Sequence, residues 1–272
     1  MVDRFHFQDI DKSMDYNKQV KNSKIVYIDI GTHFAQEYQS IFGSQKYFFT
    51  KIVHMGIRRL IGFYLLQRGE RFSFGNLKEL ISQRRNLRKK KDCFISFFVE
   101  ANPRVIQNSG IYKNADGVFN CALTGEKEFS LVNLYLANSD ALSQGSSIFL
   151  SKHNVSVSDA IPTLGVPTDL FFKSLQELIE HSVFEYSVIL RLNCEGVEDD
   201  VIYSAHKVFS NKLVLVMGSL KDVQGCKGDA AYEALQKYLK INKLPFVFFS
   251  SAITSWVQAH KSINKVSMKW FE

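Results

Sequence analysis

The sharpest pattern in the chain is a series of short apolar runs separated by longer amphipathic stretches. Residues 25–30 (IVYIDI), 94–100 (FISFFVE), 117–123 (GVFNCAL), 128–136 (EFSLVNLYL), 186–193 (YSVILRLN), 212–218 (KLVLVMG) and 245–251 (PFVFFSS) have the length and β-branched or aromatic content of buried strands. Between them, 33–42, 170–181, 197–209 and 229–242 repeat their apolar positions at helical spacing. Residues 46–91 also read as helical, with apolar clusters LIGFYLL and NLKELI. Strands alternating with helices predict an α/β fold: a mostly parallel, doubly wound, seven-stranded sheet in a single domain over 1–272. Residues 1–23 read as a leading arm or short helix, and the Ser-, Asn- and Gly-rich stretch 137–162 as a long loop, with mobility expected to about 165.

Charge changes the picture at one place. Between Gln45 and Lys91 stand thirteen Lys or Arg against Glu70 and Glu79, a local +11 in a chain of +7, which leaves −4 elsewhere. The basicity therefore belongs to a helical insertion at about 45–91, after the first helix. A solvated hairpin or a homo-oligomer contact through LIGFYLL is one reading of it. The other is a platform for an anionic acceptor: a nucleotide-linked sugar, a lipid-linked glycan at a membrane surface, or RNA.

Four cysteines, Cys93, Cys121, Cys194 and Cys226, lie far apart with no metal-ligand spacing, so no metal is expected. Three of them sit in apolar or strand-like surroundings, which reads as buried, reduced thiols. The first residues carry no signal-peptide core, and no apolar run reaches the ~20 residues of a membrane span. A cytosolic protein is expected.

Parallel sheets bind ligands beyond the carboxyl ends of their strands, and both Asp29-x-Gly31 and Glu100 fall there. The turn D-I-G-T-H-F-A has one glycine and no phosphate-cradling Lys, so a ligand without phosphates is expected rather than a dinucleotide. A carboxylate at the end of the second strand can accept both hydroxyls of a ribose. S-adenosyl-L-methionine meets these conditions.

Four segments in order, VYIDIGTHFAQEY, FISFFVEANPRVI, FNCALTG and VILRLNCEGVEDDVI, resemble the FkbM family of S-adenosylmethionine-dependent methyltransferases over about residues 25–205. The pair E-A-N-P and E-G-x-E carries most of the likeness. The resemblance implies a class I methyltransferase fold of Rossmann-like type. It implies that Asp29, Gly31, Thr32 and His33 line the methionine end, that Glu100 (with Asn102 of the same motif) holds the ribose, and that Asn120, Cys121 and Ala122 flank the adenine. Arg191, Asn193 and Glu195 should sit at the mouth of the fourth strand, with Glu195 the leading base or orienting group and His33 a second candidate. The chain departs from the family pattern at His33, Ala35, Arg191 and Asn193, where the family has Asn, Gly, Lys and Asp.

The expected activity is O-methylation of a hydroxyl on a carbohydrate or related natural product, with a small-molecule or glycan acceptor. An RNA or nucleobase methyltransferase, and a non-catalytic cofactor-binding or assembly member of the fold, stand as alternatives. Other polar residues have structural readings: Glu198 as a helix cap, Asp116 before Gly117 as a turn cap, and Asp199-Asp200 as a solvated helix face.

Overall fold

The computed structural model describes residues 24–53, 74–137, 145–249 and 252–271. The leading segment 1–23 and the LIGFYLL cluster lie outside the described residues. Six parallel strands form the central sheet: β1 (Lys24–Ile30), β2 (Phe94–Val99), β3 (Gly117–Phe119), β7 (Tyr186–Leu192), β8 (Leu213–Gly218) and β9 (Phe246–Phe248). Their spatial order is β3-β2-β1-β7-β8-β9. The chain thus winds outward from β1 in one direction, returns, and winds outward from β7 in the other. The reversal between β1 and β7 opens a crevice at their carboxyl ends, where doubly wound sheets bind ligands.

Side-chain alternation explains why helices cover both faces. Val26, Ile28 and Ile30 of β1 point to one face with Val188, Leu190 and Leu192 of β7. There they meet Phe171, Phe172, Leu175 and Ile179 of α5 (Thr168–Ser182) and Val201, Ile202 and Phe209 of α6 (Glu198–Phe209). Ile25 and Tyr27 point the other way, toward Tyr38, Ile41 and Phe42 of α1 (Gln36–Phe42), Leu87 of α3 (Phe74–Lys89) and Ala259 and Ile263 of α9 (Ala252–Phe271). Burying one side chain such as Phe172 contributes about 2–3 kcal/mol, against a few tenths for helix propensity at one position, so packing on the sheet fixes these helices.

The basic insertion is helical where it is described, as α2 (residues 45–53) and α3. Further along the chain come α4 (Pro103–Asn108), α7 (Lys221–Lys227) and α8 (Asp229–Ile241). Neither α7 nor α9 was predicted from the sequence pattern.

The apolar run 117–123 does not form one strand. Glu100 N–H donates to Phe119 O, and Asn120 then turns the chain by donating its amide to Glu100 O (2.8 Å). The run resumes as β4 (Ala122–Thr124) in a separate three-stranded sheet, β4-β6-β5, with β5 (Ser130–Ala137) and β6 (Val155–Pro167). The predicted strand 128–136 thus pairs antiparallel with β6 instead of joining the central sheet, which holds six strands among the described residues rather than seven. The expected loop over 137–162 contains most of β6. Residues 157–160 (Val, Ser, Asp, Ala) are exposed, and the β5 ladder is irregular there: Ala160 pairs with Tyr135 and Val155 with Ala137, with a register shift between them.

Candidate functional site

The turn after β1 is built from three residues in the left-handed region: Gly31 (φ 69°), His33 (φ 46°) and Ala35 (φ 45°). Gly31 and Thr32 both donate their N–H groups to Val99 O, at 2.9 and 3.1 Å. The Thr32 hydroxyl donates to Asp29 O at 2.6 Å. A Cβ at Gly31 would lie 2.0 Å from Asn193 O, so only glycine lets β1 and β7 end this close together. Ala35 occupies the position where the resembled pattern has glycine, and its conformation is the one that glycine favours.

Glu100 stands at the end of β2 and is buried. Its Oε2 accepts from His33 N at 2.7 Å and its Oε1 from Asn102 N at 2.8 Å. One carboxylate thus ties the turn after β1 to the turn after β2, with the Ala101 amide a third backbone donor acting on it. Burial raises its pKa against the pull of these backbone bonds. Asn102 also caps α4, accepting from Arg104 N at 3.0 Å.

A cleft of about 630 Å³, counted out to the solvent at its mouth, opens beside these groups. Its wall includes Gly31, His33, Glu100, Asn102, Cys121, Ala122, Asn193 and Glu195, which sequence reading had placed at a ligand site. Four other candidates do not line it. Thr32 is spent on the turn, and Asn120 on the carbonyls of Glu100 and Ala101. Asp29 and Arg191 are paired with each other.

That pair follows from register, because Asp29 and Arg191 are directly opposite across β1 and β7. Arg191 Nη1 donates to Asp29 Oδ1 at 2.9 Å and to Gly31 O at 3.0 Å, and its Nη2 lies 2.9 Å from Glu37 Oε2 on α1. Burial pushes the Asp29 carboxyl up to about 7, against the opposing pull of Arg191. The two carboxylates hold the Arg191 guanidinium charged despite its burial.

At the end of β7, Asn193 N donates to Ile30 O at 2.9 Å, and Glu195 takes a left-handed conformation (φ 58°). Glu195 is ion-paired with the buried Lys152, which also lies 3.4 Å from Asp222. The Ser147 hydroxyl donates to Glu195 O at 2.7 Å. Lys152, Ser147 and Glu37 were not singled out in the sequence. Glu37, eight residues after Asp29 on α1, was the most accessible of the three to pattern reading.

Glu198 is buried and accepts from Gly196 N at 2.9 Å, with its pKa raised by burial to about 7. Asp116 accepts from Ser96 N at 2.7 Å. Asp199 and Asp200 are not a solvated face: Lys227 bridges them at 2.6 and 2.7 Å, and Asp199 is buried.

The four cysteines are free, and of these only Cys121 is fully buried as a residue. Burial raises its thiol to about 12, and the thiol of the half-buried Cys194 is also raised by its enclosed position. Neither is a ready thiolate. Among the described residues no three His, Cys, Asp or Glu side chains gather to hold a metal ion, and no helix is long and apolar enough to cross a membrane.

Compared with protein-family models, curated proteins and solved structures, the chain finds no match in any of the three. The functional reading therefore rests on the geometry of the cleft and on the motifs that line it.

Proposed function

We propose that the chain is an S-adenosylmethionine-dependent methyltransferase of the class I type that acts on a hydroxyl of a carbohydrate or related natural product. The observation that carries this reading is the placement of Glu100. Its carboxylate closes β2, lines the cleft beside the β1/β7 reversal and retains acceptor capacity beyond its backbone bonds. That is the position from which a doubly wound fold holds a ribose diol.

In this reading Glu100 accepts the two ribose hydroxyls, and Cys121 and Ala122 supply the apolar wall for the base. The sulfonium would provide an activated methyl group. The protein's share is alignment and exclusion of water, since charge disperses as the methyl moves. Glu195, held at the rim by Lys152, is the candidate to receive the proton of the acceptor hydroxyl. Asp29 and Arg191 act from behind, by fixing the turn that carries Gly31.

Titration calorimetry tests the reading. Wild-type protein should bind S-adenosylmethionine. Glu100→Gln should weaken that binding by at least about tenfold, equal to about 1.4 kcal/mol, while thermal unfolding remains cooperative. Absence of binding by the wild type would remove the cofactor assignment, and unchanged affinity in the variant would remove the ribose role of Glu100.

A further inference from the structure

A second cleft, of about 830 Å³ counted out to solvent, lies between α2 and α3. Its floor is Phe48, buried beneath the guanidinium of Arg84, whose carbon is 4.4 Å from the ring centroid. Arg84 itself is committed. It donates to Ser40 O at 2.9 Å and Gly43 O at 2.7 Å, closing the carboxyl end of α1. The rim differs in character. Arg85, Arg88 and Lys89 are exposed and line the cleft, and none forms an ion pair with a described residue. Among the described residues no acidic side chain lines it. Beside these cations Phe49 and Ile81 line the cleft and face water, at 46% and 41% exposure, and Val53, one turn further along α2, is 60% exposed.

Apolar side chains grouped beside cations that have no acidic partner among the described residues form a surface of mixed character. Charge complementarity requires an anionic occupant, and the apolar side chains require one with hydrocarbon beneath its charge. Single-stranded RNA would instead favour several flat rings for base stacking, and here two of the three exposed apolar residues are aliphatic. We propose that the α2–α3 face docks on the surface of a bilayer containing anionic lipid, with Phe49, Val53 and Ile81 entering the headgroup boundary and Arg85, Arg88 and Lys89 meeting lipid phosphates.

The patch has a defined position relative to the first cleft. Helix α1 starts at the carboxyl ends of the strands and runs back to Phe42, whose ring is 5.0 Å from that of Phe94 at the start of β2. The cations around the end of α1 therefore lie at the opposite edge of the sheet from Glu100. A docked molecule keeps that cleft turned away from the bilayer, so the surface serves location and the acceptor arrives from solution. The docking proposal does not depend on the methyltransferase reading.

The test is co-sedimentation of the full chain with phosphatidylcholine vesicles, with and without phosphatidylserine, at low and high salt. Binding should require phosphatidylserine and weaken with salt. The double variant Arg85→Glu, Arg88→Glu should bind at least about tenfold more weakly, since each basic residue near an anionic surface contributes about 1 kcal/mol. Phe49→Ser with Ile81→Ser should also weaken binding. Both pairs replace exposed side chains, and thermal unfolding is measured alongside to confirm the fold. Failure to sediment with anionic vesicles overturns the proposal. So does wild-type affinity in either double variant, and so does salt-sensitive retention on polyuridylate without vesicle binding, which would give the face to nucleic acid.

Discussion

Arg191 on β7 lies directly across the parallel register from Asp29 on β1, and its guanidinium donates to the Asp29 carboxylate at 2.9 Å. With Glu37 2.9 Å from the same guanidinium, the cluster places one cation between two acids, all buried under the turn that shapes the first cleft. Along the chain both residues stand where groups facing a ligand are expected. Their geometry makes them a foundation for the groups that line the cleft.

Breaking this cluster piecemeal should be costly. Arg191→Met leaves two buried carboxyl groups without their cation and should lower stability by about 3 kcal/mol in urea unfolding. The triple variant Asp29→Asn, Glu37→Gln, Arg191→Met removes every charge and should recover most of that loss. Equal loss in both would show that the charges are not what holds the turn.

Ala35 offers a test of the strained turn. It stands at the N-cap of α1, where glycine is favoured over alanine, and has φ 45°, a conformation that costs alanine about 1–2 kcal/mol. Ala35→Gly should therefore raise stability by a few tenths to about 1 kcal/mol after the added freedom of the unfolded chain is subtracted. A clear fall in the urea midpoint would contradict the left-handed assignment.

Gly31 should tolerate nothing larger. Gly31→Ala combines φ 69° with a Cβ 2.0 Å from a backbone oxygen, so β1 and β7 must part at their ends. The expected loss is at least about 2 kcal/mol in the urea midpoint, together with loss of ligand binding in calorimetry.

Glu198 sets a pH dependence of known sign. Its pKa rises from an ordinary carboxyl value to about 7 on folding, through burial, so the folded chain holds a proton that the unfolded chain releases. Its contribution is fully present below the unfolded pKa near 4.5 and is lost as pH rises through 7. Asp29 acts in the same direction, and the buried His260, lowered to about 4, opposes them between its two pKa values. In Glu198→Gln the amide oxygen still accepts from Gly196, so the variant should match the wild type at pH 4 and exceed it at pH 8 by up to about 3 kcal/mol. Identical curves of unfolding free energy against pH would exclude the shift.

Lys152 anchors segment 145–152 to the end of β7 through Glu195. Lys152→Met should speed amide exchange at Ser147 and Phe149 by about tenfold or more while β1 and β7 stay protected, because a buried ion pair that loses its cation frees the segment it held. Unchanged exchange would mean that the Ser147 bond to Glu195 O suffices.

The central strands and the helices α1, α5, α6 and α8 were legible in the chain, though α9 was not, because a strand buried on both faces must be apolar throughout and an amphipathic helix must repeat its apolar positions. The bend at Asn120 was not legible, since both halves of 117–123 stay apolar while they enter different sheets. Strand β6 was hidden for the opposite reason, as its exposed first half carries Ser and Asp and shows no apolar run or regular alternation. The sequence also located the carboxyl-end residues Gly31, Glu100 and Glu195, because a turn with special backbone demands leaves a local signature. Only the tertiary structure decided which of the acids face the cleft. Asp29 and Glu100 look equivalent along the chain, but register places Arg191 opposite Asp29 and leaves Glu100 at the wall, and partners separated by 162 residues write no local pattern.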